Sequence, residues 1–168
     1  MKSLVFGEVL WDIYPDARYI GGAPLNFAAH LSKLGNDVTF MTGVGSDNLG
    51  QKALEIIKNF GVKTELSTII DGKETGKCYV SFDENHSPSY SILDDTACDY
   101  IFVPDTANNF DVLYFGTLAL RNEYNHISIK KLLKNNKFKH IFVDINIRPP
   151  FYNDTTIILA LQNASIVF

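Results

Sequence analysis

The stretch Gly21-Gly22-Ala23-Pro24-Leu25-Asn26-Phe27-Ala28-Ala29-His30-Leu31-Ser32-Lys33-Leu34-Gly35 decides the fold, because of what flanks it. From Pro24 to Leu34 the residues Leu25, Ala28, Ala29 and Leu31 recur at helical spacing. Proline is tolerated at a first helical position, and Gly35 suits the residue just past the end. Upstream, Ser3-Leu4-Val5-Phe6-Gly7 is a short apolar run closed by glycine, the pattern of a strand buried on both faces of a parallel sheet. Downstream, Val38 to Thr42 reads as a second strand. Asp47 then opens a helix with Leu49, Ala53, Ile56, Ile57 and Phe60 on one face, stopped by Gly61.

Leu66 to Ile70 reads as a further strand, after which the texture changes to alternation in Lys77 to Phe82 and Ser89 to Leu93, separated by the polar Asp83 to Ser87. Alternation means one solvated face, so these segments form an antiparallel hairpin standing off the main sheet. Ile13 to Ile20 is a candidate for an added strand, and such an appendage is suited to be a lid. Val112 to Phe115 and Ile141 to Val143 return to short buried runs, joined by an amphipathic helix carrying Ile127, Ile129, Leu132 and Leu133. Asp154 to Gln162 is another helix, and Ser165 to Phe168 begins another strand. The expectation is an α/β fold with a doubly wound, mostly parallel sheet and a small antiparallel β lid drawn from residues 13–20 and 75–93. Ligands of such sheets bind beyond the carboxyl ends of the strands, here in the loops after Phe6, Phe115 and Val143.

With 168 residues, 46% of them apolar and 20% charged, the chain buries a core of one-domain size. The net charge of −4 is scattered, and no basic run is long enough to neutralise a phosphate backbone, so nucleic acid is not an expected partner. Cys78 and Cys98 lie in no Cys-x-x-Cys spacing and have no His or Cys partner at a zinc-site interval, which fits a reduced cytoplasm. Lys2 precedes an apolar stretch, but Glu8 and Asp12 interrupt it before it reaches the length of a signal-peptide core. No apolar run approaches the roughly 20 residues that cross a bilayer. The expected location is the cytoplasm, with no membrane partner.

Gly21 and Gly22 let a ligand come against bare backbone, and the helix start behind them offers unpaired N–H donors. Asn26, in the first turn, carries a donor and an acceptor suited to a sugar hydroxyl. By themselves these residues fit a tight turn with a surface asparagine equally well. Two glycine patterns carry no chemistry. Gly43-Val44-Gly45 with Gly50 is out of register for a dinucleotide loop, and Gly50-Gln51-Lys52 has glutamine where a P-loop requires lysine. His30, His86, His126 and His140 are scattered.

With Gly35 after the helix and Gly45 after the next strand, the segment Gly21, Gly22, Pro24, Asn26, Ala28 is similar to the first signature of PfkB-type, ribokinase-like sugar kinases. Gly7-Glu8-Val9-Leu10-Trp11-Asp12 upstream resembles the fructokinase branch. The resemblance continues in Thr75-Gly76, in Leu113 to Arg121, and in Asp144-Ile145-Asn146-Ile147-Arg148-Pro149, which resembles an Asp-x-Asn-x-Arg-Pro segment. It implies that Asp12 and Asn26 bind sugar hydroxyls, that Gly22 allows close backbone approach, and that Asn146 and Arg148 border the substrate. Arg148 is suited to pair bidentately with a phosphoryl oxygen. Without the resemblance, Asp144 as a local backbone cap and Arg148 in a surface ion pair is the favoured reading.

The family's late Asp-Thr-x-Gly-Ala-Gly-Asp segment, which supplies an anion hole and a base, and its Asn-x-x-Glu element have no counterpart in residues 1–168. The resemblance therefore implies an incomplete ribokinase-like domain whose carboxyl-terminal part is missing, with no catalytic residue and no metal ligand of its own. The complete protein is expected to use ATP and Mg2+ to phosphorylate a primary hydroxyl of fructose or a similar sugar. The alternatives are another sugar, a sugar acid or a nucleoside as acceptor, or a non-catalytic sugar-binding module. Lid strands of this family often pack across a two-fold interface, so the hairpin permits a homodimer without requiring one.

Overall fold

The first strand, β1 (Lys2–Phe6), turns Leu4 and Phe6 into one apolar cluster and Val5 into another, and all three are fully buried. A strand with no solvated face requires cover on both sides, and the chain supplies it. The computed structural model describes residues 1–168. Its main sheet is wholly parallel, in the order β11-β10-β9-β1-β4, where β4 is Asp37–Met41, β9 is Val112–Gly116, β10 is His140–Asp144 and β11 is Ile166–Val167. Helices α1 (Ala23–Lys33) and α2 (Asn48–Asn59) cover one face through Leu25, Ala28, Ala53 and Ile57. Helices α3 (Glu123–Asn135) and α4 (Asp154–Asn163) cover the other through Ile129, Leu132 and Ala160. The sheet is therefore doubly wound, as expected.

The helix ends follow from local chemistry. Asp47 caps α2, its carboxylate accepting the Gly50 N–H at 2.8 Å. Gly35 and Gly61 take φ of +82° and +77° just beyond α1 and α2. The Asn36 and Val62 N–H groups then reach back to the Leu31 and Ile57 carbonyls, which closes both helices.

The short strand β5 (Gly43–Gly45) pairs with β6 (Thr68–Ile70) in a separate two-stranded piece, so the expected strand at Leu66 to Ile70 forms outside the main sheet. Its glycines are packing glycines. An added Cβ at Gly45 would lie 2.5 Å from the Lys73 carbonyl oxygen, a contact no side chain tolerates.

A second sheet of four strands stands off the first, in the order β3-β2-β7-β8. The expected strand at Ile13 to Ile20 is instead a hairpin of β2 (Leu10–Ile13) and β3 (Arg18–Gly21), broken around Pro15 and Asp16. The hairpin of β7 (Gly76–Phe82) and β8 (Pro88–Ile92) forms as the alternation predicts. The expectation of an antiparallel appendage needs one correction. Its central pairing, Leu10 with Gly76 through Ile13 with Tyr79, is parallel. Both strands leave the body at the same base and run outward, and two strands that start together side by side can pair only in parallel.

Candidate functional site

In the order β9-β1-β4, the chain moves from β1 to β4 across one face and from β9 onward across the other. The crevice between β1 and β9 is the switch point at which doubly wound sheets hold ligands. The residues that follow β1 and β9 there are Gly7-Glu8-Val9 and Thr117 with a 3-10 turn, Leu118–Arg121.

β2 carries Asp12 out of this crevice. In register Asp12 lies opposite Tyr19 of β3 and Cys78 of β7, so these three side chains share one face of the appended sheet. The Asp12 carboxylate turns toward the start of α1: an added Cβ at Gly21 would lie 2.7 Å from its Oδ2 atom. Burial pushes this carboxyl above its usual range. Gly22 has a φ of +116°, and a Cβ there would meet the Glu8 carbonyl oxygen at 2.6 Å, so the turn admits only glycine. It holds the N-cap position of α1, with no side chain capping the first turn. Asn26 sits in that turn, its N–H closing the first helical bond to the Gly22 carbonyl at 3.0 Å and its side chain exposed. The structure thus brings Asp12, Gly22 and the Asn26 turn to one place, built from three consecutive elements.

Asn146 and Arg148 come from a distant segment, the loop after β10, where Asn146 is half-buried and Arg148 exposed. Arg148 forms no salt bridge; its charge pulls down both the Asp144 carboxyl and the Cys78 thiol, each of which burial pushes up. Cys78 is the register partner of Asp12. Asp144 does not cap backbone. Its carboxylate accepts the Tyr114 hydroxyl at 3.1 Å, and its main-chain carbonyl accepts the Thr117 N–H at 3.0 Å, tying the end of β10 to the turn after β9. No hydrogen bond links any two of Asp12, Gly21, Asn146 and Arg148.

Sequence reasoning missed the charged floor of the crevice. Glu8 is 3% exposed, and burial, with the Asp144 and Asp99 charges added to it, raises its carboxyl to about 8 against the opposing pull of Arg121. Arg121 donates from Nε and Nη2 to the two Asp99 oxygens, each at 2.7 Å, and from Nη2 to the Leu93 carbonyl at 2.8 Å. The only sequence signal for either was a charge placed directly after a buried strand or turn. Both thiols are free and buried, Cys98 being raised to about 12 by burial. No group of three or more His, Cys, Asp or Glu side chains is arranged to hold a metal ion. No helix is long and apolar enough to cross a membrane.

The profile of the pfkB family carbohydrate kinases matches residues 16–168. The chain is 27% identical over 138 residues to the probable fructokinase-4 of Arabidopsis thaliana, covering 71% of this chain and 42% of that protein. It is 26% identical over 167 residues to the fructokinase of Vibrio alginolyticus, covering 94% of this chain and 54% of that one. In fold it is similar to the fructokinase of Vibrio cholerae O395 in apo form, with a TM-score of 0.85 at 20% identity over 99% of this chain and 62% of the other. The chain thus spans about half the length of the curated relatives it matches. With the signature glycines, Asp12 and the switch-point crevice assembled as described, the chain belongs to the pfkB family of carbohydrate kinases.

Proposed function

We propose that these residues form the sugar-holding part of an ATP-dependent kinase that phosphorylates a primary hydroxyl of fructose or a similar sugar. The observation that carries the reading is the Asp12 carboxylate set against the Gly21–Gly22 turn at the uncapped start of α1. A half-buried carboxylate accepts hydrogen bonds from two neighbouring hydroxyls, and a helix start offers N–H donors to a sugar oxygen. Gly22 lets the ring approach the backbone, and Asn26 offers an amide with both a donor and an acceptor. Arg148 and Asn146 flank the other side, where a guanidinium suits a phosphoryl oxygen. Relatives named fructokinase, and a Vibrio cholerae O395 fructokinase solved with fructose, ADP and calcium ion, support the substrate class. A Xylella fastidiosa fructokinase solved with ATP supports the nucleotide.

Phosphoryl transfer also needs a positioned base, donors for the developing charge and a metal-bound nucleotide. None of Asp12, Gly22, Asn26, Asn146 and Arg148 supplies the first two. We therefore assign residues 1–168 sugar binding without transfer by themselves, in an intracellular protein for which a dimer through the appended sheet is compatible. The appended sheet is assigned the role of lid, which excludes water as a competing acceptor.

Calorimetry of the protein against fructose, other hexoses, a sugar acid and a nucleoside tests this. Asp12→Asn should weaken fructose binding about 10- to 100-fold, as loss of a hydrogen bond to a charged group costs about 1.5–3 kcal/mol. Fructose binding that is absent, or equal in Asp12→Asn, would sink the assignment.

A further inference from the structure

Three of the segments that join the two sheets, those leading into β2 and β7 and out of β8, meet at one small cavity of about 10 Å3. Its wall is made by Glu8 and Leu10 on the way out along β2, Gly76 at the start of β7, Leu93 past the end of β8, and Asp99 and Arg121 of the body. Two side chains in the wall are buried with bonding capacity to spare. Glu8 Oε2 has no partner, and Arg121 Nη1 has none either, although its Nε and Nη2 are fully engaged. The Arg121 guanidinium is also held from below by the Phe151 ring, 4.6 Å from Cζ. It is a fixed donor with one face unspent.

A carboxyl and a guanidinium that line one cavity without touching have two stable arrangements. The neutral acid stays apart, and the ionised acid gains by closing the gap, because an unpaired buried charge is costly and a charge-assisted hydrogen bond is strong. We propose that Glu8 and Arg121 form a latch at the base of the appended sheet, open while the Glu8 carboxyl is neutral and closed onto Arg121 Nη1 when it ionises. On closing, the proton leaves to solvent and the carboxylate accepts from the guanidinium. The movement reaches the sugar-holding residues by two short paths. Asp12 lies four residues further along the same chain, and the Glu8 carbonyl is the atom that crowds Gly22.

The groups that face Glu8 are Arg121, Asp99 and Cys98 from the body turns, Asp144 at the end of β10, Tyr114 of β9 and Lys77 of β7. Arg121 favours ionisation; Asp144 and Asp99 oppose it, with burial opposing most strongly. Burial pushes the Cys98 thiol to about 12 and raises the Tyr114 phenol, so neither titrates near neutrality. The balance puts the Glu8 transition at about 8.

The effect on sugar affinity rests on the sugar-binding reading, but the latch itself is tested without sugar. Trp11, the only tryptophan, lies on β2 between Glu8 and Asp12 and reports the seat of the appended sheet. Its fluorescence in the wild-type protein should step with a midpoint near pH 8, with amide exchange at Trp11 to Ile13 changing through the same step. In Glu8→Gln, which keeps the neutral shape, the step should vanish. Superimposable titrations of the two proteins overturn the latch. Should Glu8→Gln not fold, a carbon-detected titration of the Glu8 carboxyl in the wild type decides, and a midpoint below pH 6 overturns it. Fructose affinity should change at least threefold across the step in the wild type and not in Glu8→Gln. A Trp11 step with no fructose binding at any pH leaves the latch standing and removes the sugar assignment. A step with pH-independent fructose binding overturns the link to the site.

Discussion

Replacing Glu8 by glutamine should stabilise the protein, by an amount that grows with pH. Glu8 is 3% exposed, and its carboxyl rises from the ordinary 4.5 to about 8, chiefly through burial. The unfolded chain ionises at its ordinary value while the folded protein holds the proton until about pH 8. A raised folded-state pKa means stability that is complete below pH 4.5 and is lost as pH climbs toward 8, at about 1.36 kcal/mol per pH unit. The loss is roughly 1 kcal/mol at pH 5, about 3 at pH 7, and close to 5 above pH 8, where it levels off. Glutamine has nearly the shape of the neutral acid, with an acceptor oxygen and a donor group, and never ionises, so the variant escapes this loss. For a chain of this size, about 2–4 °C of melting temperature accompany each kcal/mol, so the variant's advantage should widen by about 4–8 °C between pH 5 and pH 7. Paired thermal unfolding curves at pH 5, 6, 7 and 8 measure it, with other titrating groups cancelling between the two proteins. Melting temperatures that run parallel across that range would refute the buried, neutral carboxyl.

Two further outcomes follow from the polar framework around the crevice. Asn125, 0% exposed, accepts the Ile101 N–H at 2.7 Å and donates to the Cys98 and Ala119 carbonyls at 2.7 and 2.8 Å. Asn125→Leu strands these three buried backbone groups and should cost roughly 3–9 kcal/mol in urea unfolding, at about 1–3 kcal/mol for each unmet group. Asp47 accepts from Gly50, the Thr75 backbone and the Thr75 hydroxyl, and although burial pushes its carboxyl up, these bonds hold it below its usual value. Its contribution is therefore present above the ordinary carboxylate pKa and lost on acidification. Asp47→Ala should cost about 2 kcal/mol at pH 7, and clearly less at pH 3, by chemical unfolding at both pH values.

The residues proposed to hold the sugar are divided between nearby and remote parts of the chain. Asp12, Gly22 and Asn26 lie within one continuous stretch, on β2 and at the start of α1, so a hairpin and a helix start suffice to assemble them. Arg148 comes instead from the loop after β10, which lies beside β9 in the main sheet.

Periodicity and end signals are local, and they made the body of the fold legible. The run from Ser3 to Gly7 could only be buried on both faces, Pro24 and Gly35 bracket α1, and Asp47 and Gly61 bracket α2, each through contacts within a few residues. The signature glycines were readable for the same reason, since a φ of +116° at Gly22 is a property of one residue and its neighbours. Beyond local reach stood the parallel pairing of β2 with β7, the break of the Ile13 to Ile20 segment into a hairpin, and the meeting of Glu8 with Arg121 and Asp99. Those depend on which remote segments pack together. A carboxyl's charge state depends on how much water that packing leaves around it, which no spacing along the chain encodes.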